Sequence, residues 1–239
     1  MTHILHKADS RGLADHGWLV SRHTFSFANY HNPARMHFGM LRVINDDIVQ
    51  PAMGFGTHPH ENMEIVSIPL SGALRHQDSM GNKHMITAGE VQIMSAGSGL
   101  THSEYNNSDQ EEVNFLQIWV FPEVKNITPR YGQKRFDKAN RHNRFQTLVS
   151  PQKEGDAIWI NQQAWFSMTN LDAGTSLSYL KQRTGNGLYF FIIEGSVEIE
   201  GTKLDRRDAL GLTTDGDEGQ VQVKALSQAE ILCIDVPLH

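Results

Sequence analysis

The sequence predicts an all-β protein made of two barrel or sandwich halves in tandem, and three observations carry that prediction. Short runs of β-branched and aromatic residues are separated by Gly, Asn, Asp and Ser turns about every 8 to 12 residues, as in sandwiches and barrels. The order strand, glycine turn, strand, glycine turn of residues 65 to 83 returns at residues 188 to 203. Between Gly54 and Asn106, two clusters hold imidazole and carboxylate side chains at a spacing of two, which puts neighbours on one face of a strand.

A length of 239 residues suits one large β domain or two halves of about 100 to 120 residues, either able to bury a core. The composition, 39% apolar and 20% charged, is that of a soluble globular chain, and no apolar run approaches the ~18 to 20 residues of a membrane span. Residues Met1 to Lys7 lack both the apolar centre of a secretory signal and the arginine-rich character of a transit peptide, which points to the cytoplasm. A net charge of −6 opposes the phosphate backbone and argues against direct nucleic-acid binding. The one basic cluster, Lys134, Arg135, Lys138, Arg141 and Arg144, reads as a solvated connection. Cys233 has no cysteine to pair with and sits in the apolar run Ile231 to Ile234, as a buried strand residue would.

Taken in order, Thr24 to Tyr30 alternates aromatic and small polar residues as a half-buried strand does. Leu41 to Ile44 is a further strand, and Asn45-Asp46-Asp47 has turn chemistry before Ile48-Val49. Ile65 to Leu70 and Ala73 to Gln77 flank a Ser71-Gly72 turn; Met80-Gly81-Asn82 and Ala88-Gly89-Glu90 turn again, on either side of a strand that leads to Val91 to Met94. Val113 to Phe121 is apolar on both faces, the mark of a strand covered on both sides, with Gln117 as its odd member. That glutamine either lines a polar cavity or is satisfied by backbone groups. Periodicity lapses over about 122 to 150, so the expected division is 1–130 and 131–239 with a linker there. Overlaying Gly195 on Gly72 puts Lys181 and Arg183 where His58 and His60 stand and Gly187 where Glu64 stands, and no histidine occurs between His142 and His239. The second half is therefore expected to support and close the first without a metal.

The clusters are Thr57-His58-Pro59-His60-Glu61-Asn62-Met63-Glu64 and Thr101-His102-Ser103-Glu104-Tyr105-Asn106. His58 with His60, and His102 with Glu104, each share one strand face, so two pairs of donors can meet at one point. Three imidazoles and a carboxylate suit a divalent first-row metal with two open positions. Pro59 has no amide hydrogen and places its segment at a sheet end or edge, while Gly54 and Gly56 allow close approach.

His58-x-His60-x3-Glu64 and Gly89-x12-His102-x3-Asn106 look like the two cupin motifs, and the whole pattern resembles the pirin family of bicupins, closest to bacterial pirin-like quercetinases. Thr24 to Tyr30, Leu41 to Asp47, His76 to Asn82 and Met94 to Asn106 are also family-like, densely over 10 to 135 and loosely beyond. Ser95 stands where many cupins have proline and the interval from Gly97 to His102 is long, and both departures are pirin-like. The resemblance implies a bicupin fold and His58, His60, His102 and Glu104 as ligands of one divalent cation per chain. Fe(II) is the first candidate, with Zn, Co, Ni, Mn or Cu as alternatives. Glu64, a ligand in many other cupins, is not one by this likeness.

The resemblance further implies quercetin 2,3-dioxygenase activity, in which a flavonol and dioxygen react with release of carbon monoxide. A carboxylate takes the proton of the flavonol 3-hydroxyl; Glu104 is the first candidate and Glu64 the second. The other role for Glu64 is to orient a histidine N–H. Two competing readings are a metal-dependent regulatory protein acting through a protein partner, as eukaryotic pirins suggest, and a sugar isomerase or epimerase on the same scaffold.

Overall fold

The computed structural model describes residues 1–213 and 219–239. Their regular structure is almost entirely β-strand, in two halves that repeat one plan. The first half has a four-stranded sheet in the order Gly54–His60, Leu100–Asn106, Ala73–Asp78, Lys83–Thr87. The second has its counterpart in Ser176–Leu180, Gln220–Ala225, Val197–Ile199, Thr202–Leu204. The seven-stranded sheets correspond in the same way. Glu90–Ser95, Glu64–Ser71, Val113–Val120 and Leu41–Val49 run side by side in one, and Ala209–Thr213, Asn186–Glu194, Ala229–Pro237 and Trp165–Leu171 in the other. The chain is an all-β bicupin. No helix among the described residues is long and apolar enough to cross a membrane.

The central strands explain why their sequences are apolar throughout. Val66 and Ile68 face a core shared by both halves, to which Tyr189, Phe191 and Ile193 contribute from the other side. The alternate residues Leu188, Phe190 and Ile192 instead fill the interior of the second barrel. A strand buried on both faces has no polar face to show, as expected for sheets covered on two sides.

The halves interlock at their borders. Thr2–His6 pairs with Ala209–Thr213 of the second large sheet, whereas Arg130–Arg135, beyond the expected border at 130, pairs with Glu90–Ser95 of the first. The expected linker thus contains strand Arg130–Arg135 and strand Gln146–Ser150, and only 136–145 cross between them. Arg141 of the supposed solvated cluster is buried there, with its guanidinium donating to Glu230 and Asn170, both at 2.6 Å.

Two local expectations give way to tertiary context. Thr24 to Tyr30 is not a strand but a loop closed by a Phe27–Tyr30 bridge, in which the Ser26 hydroxyl donates to the Asn32 carbonyl at 2.9 Å. Asn45-Asp46-Asp47 is not a turn but the middle of the nine-residue strand Leu41–Val49. Its polar side chains find distant partners: Asn45 meets His23 at 2.9 Å, and Asp46 meets Arg207 at 3.0 Å and the Asn114 amide at 2.8 Å.

Candidate metal centre

Strand Gly54–His60 is the edge of the small sheet, where Pro59 needs no amide partner. His58 lies directly opposite His102, and His60 opposite Leu100, so these residues share the inward face. The approach depends on Gly54, since a Cβ there would lie 2.3 Å from the Glu104 carbonyl oxygen. Gly56 has no such demand, with its nearest atom at 3.8 Å.

The rings of His58, His60 and His102 stand 4.4 to 4.9 Å apart by centroid, and their donor atoms lie within 4.8 Å of one another. His58 Nδ1 is 2.8 Å from the Gly56 carbonyl, which only accepts, so Nδ1 carries the proton and Nε2 presents its lone pair. Glu104 joins through His102: donors of His76, His102 and Glu104 also lie within 4.8 Å of one another. Gln117 Nε2 donates to Glu104 Oε2 at 2.8 Å, and the Ser67 hydroxyl makes a longer contact to Oε1 at 3.4 Å. Of the two expectations for Gln117, the polar cavity wall is the one found.

Burial sets the charge states. It pushes His102 down to about 2, helped by His58, His60 and His76, and it pushes His60 down to about 4, helped by His58. Glu104 is pushed up to about 7 by burial, against the pull of Ser67 and Gln117. His60 and His102 are therefore neutral, and neither nitrogen of buried His102 has a hydrogen-bond partner. Neutral imidazoles and a carboxylate lacking a counter-charge are what a divalent cation requires, so the donor set fits one.

Glu64 is elsewhere. On strand Glu64–Ser71 it shares a face with Val66 and Ile68, toward the second half, while Ser67 faces Glu104. Its Oε2 accepts from the Ser95 hydroxyl at 2.7 Å and from the Asn161 amide at 3.2 Å, and none of its hydrogen bonds reaches a histidine. The expected roles as base or histidine-orienting group are corrected by this parity. His76 is the group the sequence reasoning missed as a site residue. It is opposite Glu104 in register, fully buried, 3.3 Å from Asp78 Oδ2, and its ring lies 5.3 Å from that of His102. The alternation Leu74, His76, Asp78 was the available signal.

The cluster opens on a cavity of about 390 Å³, within the range of small-molecule sites. Trp18, Phe27, Phe55 and Trp119 wall it, with Phe27 edge-on to Trp119 at 5.2 Å and Trp18 edge-on to Phe55 at 5.3 Å. A larger, more open cleft of about 560 Å³ along Pro59, Glu61 and Thr101 meets only His60 of the cluster.

Among the described residues the second barrel has no such belt. Leu74 faces Asn106 as Val197 faces Ala225, so Ile199, Val221 and Val223 occupy the places of His76, His102 and Glu104. Tyr179, opposite Val221, stands for His58, which puts Lys181 at His60 rather than at His58. The overlay slips by two because five residues separate the equivalent strands there and three separate them in the first half.

Two tandem cupin barrels, one with an imidazole and carboxylate belt and one filled with apolar side chains, define a bicupin with, among the described residues, a single candidate metal centre. The sequence matches the family described as Pirin over residues 6–120 and the quercetinase C-terminal cupin domain over residues 147–236. It is 42% identical over 237 residues to a quercetin 2,3-dioxygenase of Escherichia coli K12, covering 98% of each chain. It is 41% identical over 228 residues to a pirin-like protein of Caulobacter vibrioides, covering 95% of this chain and 96% of that one. The crystal structure of the bacterial pirin YhhW of Escherichia coli in complex with nickel(II) superposes with a TM-score of 0.92 at 41% identity, covering 99% of each chain. The chain belongs to the pirin family.

Proposed function

We propose that the protein is a metal-dependent dioxygenase that opens the central ring of a flavonol such as quercetin with release of carbon monoxide. The observation that carries this reading is a pair of donor triads sharing His102, namely His58, His60 and His102 with His76, His102 and Glu104, of which His58 and His60 line an aromatic cavity. His58, His60, His102 and Glu104 hold one divalent cation, Fe(II) being the first candidate, with Zn, Co, Ni, Mn or Cu as alternatives; a related bacterial pirin is known as a nickel(II) complex. When bound, the metal supplies Lewis-acid chemistry toward the substrate oxygen and a place for dioxygen beside it.

The remaining work belongs to the chain. Gln117 fixes Glu104 Oε2, and Oε1, with only the long Ser67 contact, takes the proton of the flavonol 3-hydroxyl. Trp119, edge-on to His60 at 4.9 Å, and Phe27 exclude water from the flat substrate. The relatives named quercetin 2,3-dioxygenase support the same chemistry.

The test is oxygen uptake with carbon monoxide detection on metal-loaded protein, the His58→Ala variant and the free metal salt. Flavonols bearing the 3-hydroxyl should be consumed and the matching flavones should not, a discrimination that reaches about 10⁴-fold in sites built to bind a hydroxyl. Equal turnover by the variant or the salt would leave the regulatory, partner-binding reading in its place.

A further inference from the structure

The cavity contains one strongly polar group that the proposed reaction leaves unused. Ser21, His23, Asn45 and Asp47 line the wall formed by Leu19–His23 and Leu41–Val49. His23 Nδ1 is satisfied by Asn45 Oδ1 at 2.9 Å, with the Ser21 hydroxyl at 3.2 Å. Asp47 is different: it is 3% exposed, the Ser21 hydroxyl is its one side-chain hydrogen-bond partner, and its Oδ1 has none. Its neighbour Asp46, facing the opposite way, has both an arginine and an amide. The protein thus supplies cationic and amide partners to one of two adjacent carboxyls and leaves the other with a serine hydroxyl alone, in the wall of an aromatic chamber. A buried carboxyl oxygen without a donor is costly, and native structures keep few such groups without a use. Burial, against the pull of the Ser21 hydroxyl and with Asp46 and Glu104 adding to it, pushes the Asp47 carboxyl up to about 7.

Position gives the group its meaning. Asn45 is paired in register with Gln117, which holds Glu104. Asp47 is the next inward-facing residue along that strand, about 7 Å beyond Asn45 at 3.3 to 3.4 Å per residue. A ligand anchored at the histidines meets Asp47 only with its far end.

We propose that Asp47 selects that far end, accepting a hydrogen bond from a phenolic hydroxyl on the ring remote from the metal-facing oxygen. The substrate is then a planar aromatic with at least two well-separated hydroxyl groups. This rests on the proposed function and names the recognition at the same site.

Binding without turnover separates the two. Under anaerobic conditions, tryptophan fluorescence reports the Kd of the metal-loaded protein for quercetin and for 3-hydroxyflavone, which keeps the metal-facing hydroxyl and lacks the others. The wild type should prefer quercetin by about 10- to 100-fold, the strength of a hydrogen bond to a charged acceptor. Asp47→Leu should abolish the preference by weakening quercetin alone, and Asp47→Asn, which keeps a carbonyl acceptor, should restore part of it. Metal content and the circular dichroism spectrum should match the wild type in both variants, and Asp47→Leu should melt no lower, since it removes an unpaired buried acceptor. Equal affinity of the wild type for both ligands, or a variant that loses both alike, overturns the role of Asp47. Selective binding through Asp47 without oxygen uptake leaves that role standing and removes the dioxygenase reading. Binding of neither ligand overturns both.

Discussion

Glu64 and Glu104 are both buried, both pushed up to about 7, and lie in equally family-like motifs, yet strand parity sends one to the seam between the halves and the other to the histidines. Glu104→Gln should therefore lower metal content and activity together, while Glu64→Gln should leave metal content at the wild-type level; metal analysis of the two purified variants decides. Gln117→Leu frees the carboxylate that it now holds and should cost about 10- to 100-fold in metal affinity, read by competition with a chelator. Glu64 also has a pH signature. Its carboxyl is raised from 4.5, so the folded state holds the proton more tightly; the contribution is complete below pH 4.5 and is lost as pH rises to about 7. The melting temperature of Glu64→Gln minus that of the wild type should accordingly grow across this window, and a flat difference would contradict the burial argument.

The turns and strands of the first barrel were legible wherever local chemistry and tertiary demand agree. Glycine at Gly72 and Gly195 takes φ of 71° and 85° at equivalent strand junctions, which is why the repeat could be seen at all. Asn45-Asp46-Asp47 was misread because residue type favours a turn, while the partners that hold it in a strand, His23, Arg207 and Asn114, are distant in sequence. His76 escaped notice as a site residue for the same reason: its place beside Glu104 exists only once two strands 28 residues apart are in register. The pairing of Gly54–His60 with Leu100–Asn106 can be tested directly. Gly54→Ala would put a Cβ 2.3 Å from one backbone atom and 2.5 Å from another, so the strands must separate, at a cost of about 1 to 3 kcal/mol, and carry His58 away from His102. Lower thermal stability and weaker metal binding are expected, with Gly56→Ala, which meets nothing closer than 3.8 Å, close to the wild type in both.

Across the whole molecule the two barrels share a plan and differ in filling. The first keeps apolar clusters around Leu74 and Phe115 and around Ile65 and Met94, apart from the belt of His76, His102, Glu104 and Gln117. The second runs a single apolar cluster through the same space, with Ile199, Val221 and Val223 in it. The sequence, with no histidine between His142 and His239, set the expectation of a half without a metal, and the slip in the overlay hid which residues stand in the places of the belt. Metal analysis should thus give about one divalent cation per chain, and His58→Ala or His102→Ala should lose it; a value near two would require a second donor group beyond those found among the described residues. Removing the metal should not unfold the chain, because the shared core of Val66, Ile68, Tyr189, Phe191 and Ile193 forms without it and a two-barrel chain buries enough surface to stand alone. Chelator-treated protein should keep its β-sheet circular dichroism and unfold cooperatively at a lower temperature. The gap reports binding alone, about 2.7 kcal/mol when free metal is 100 times its dissociation constant, and it should vanish in His102→Ala.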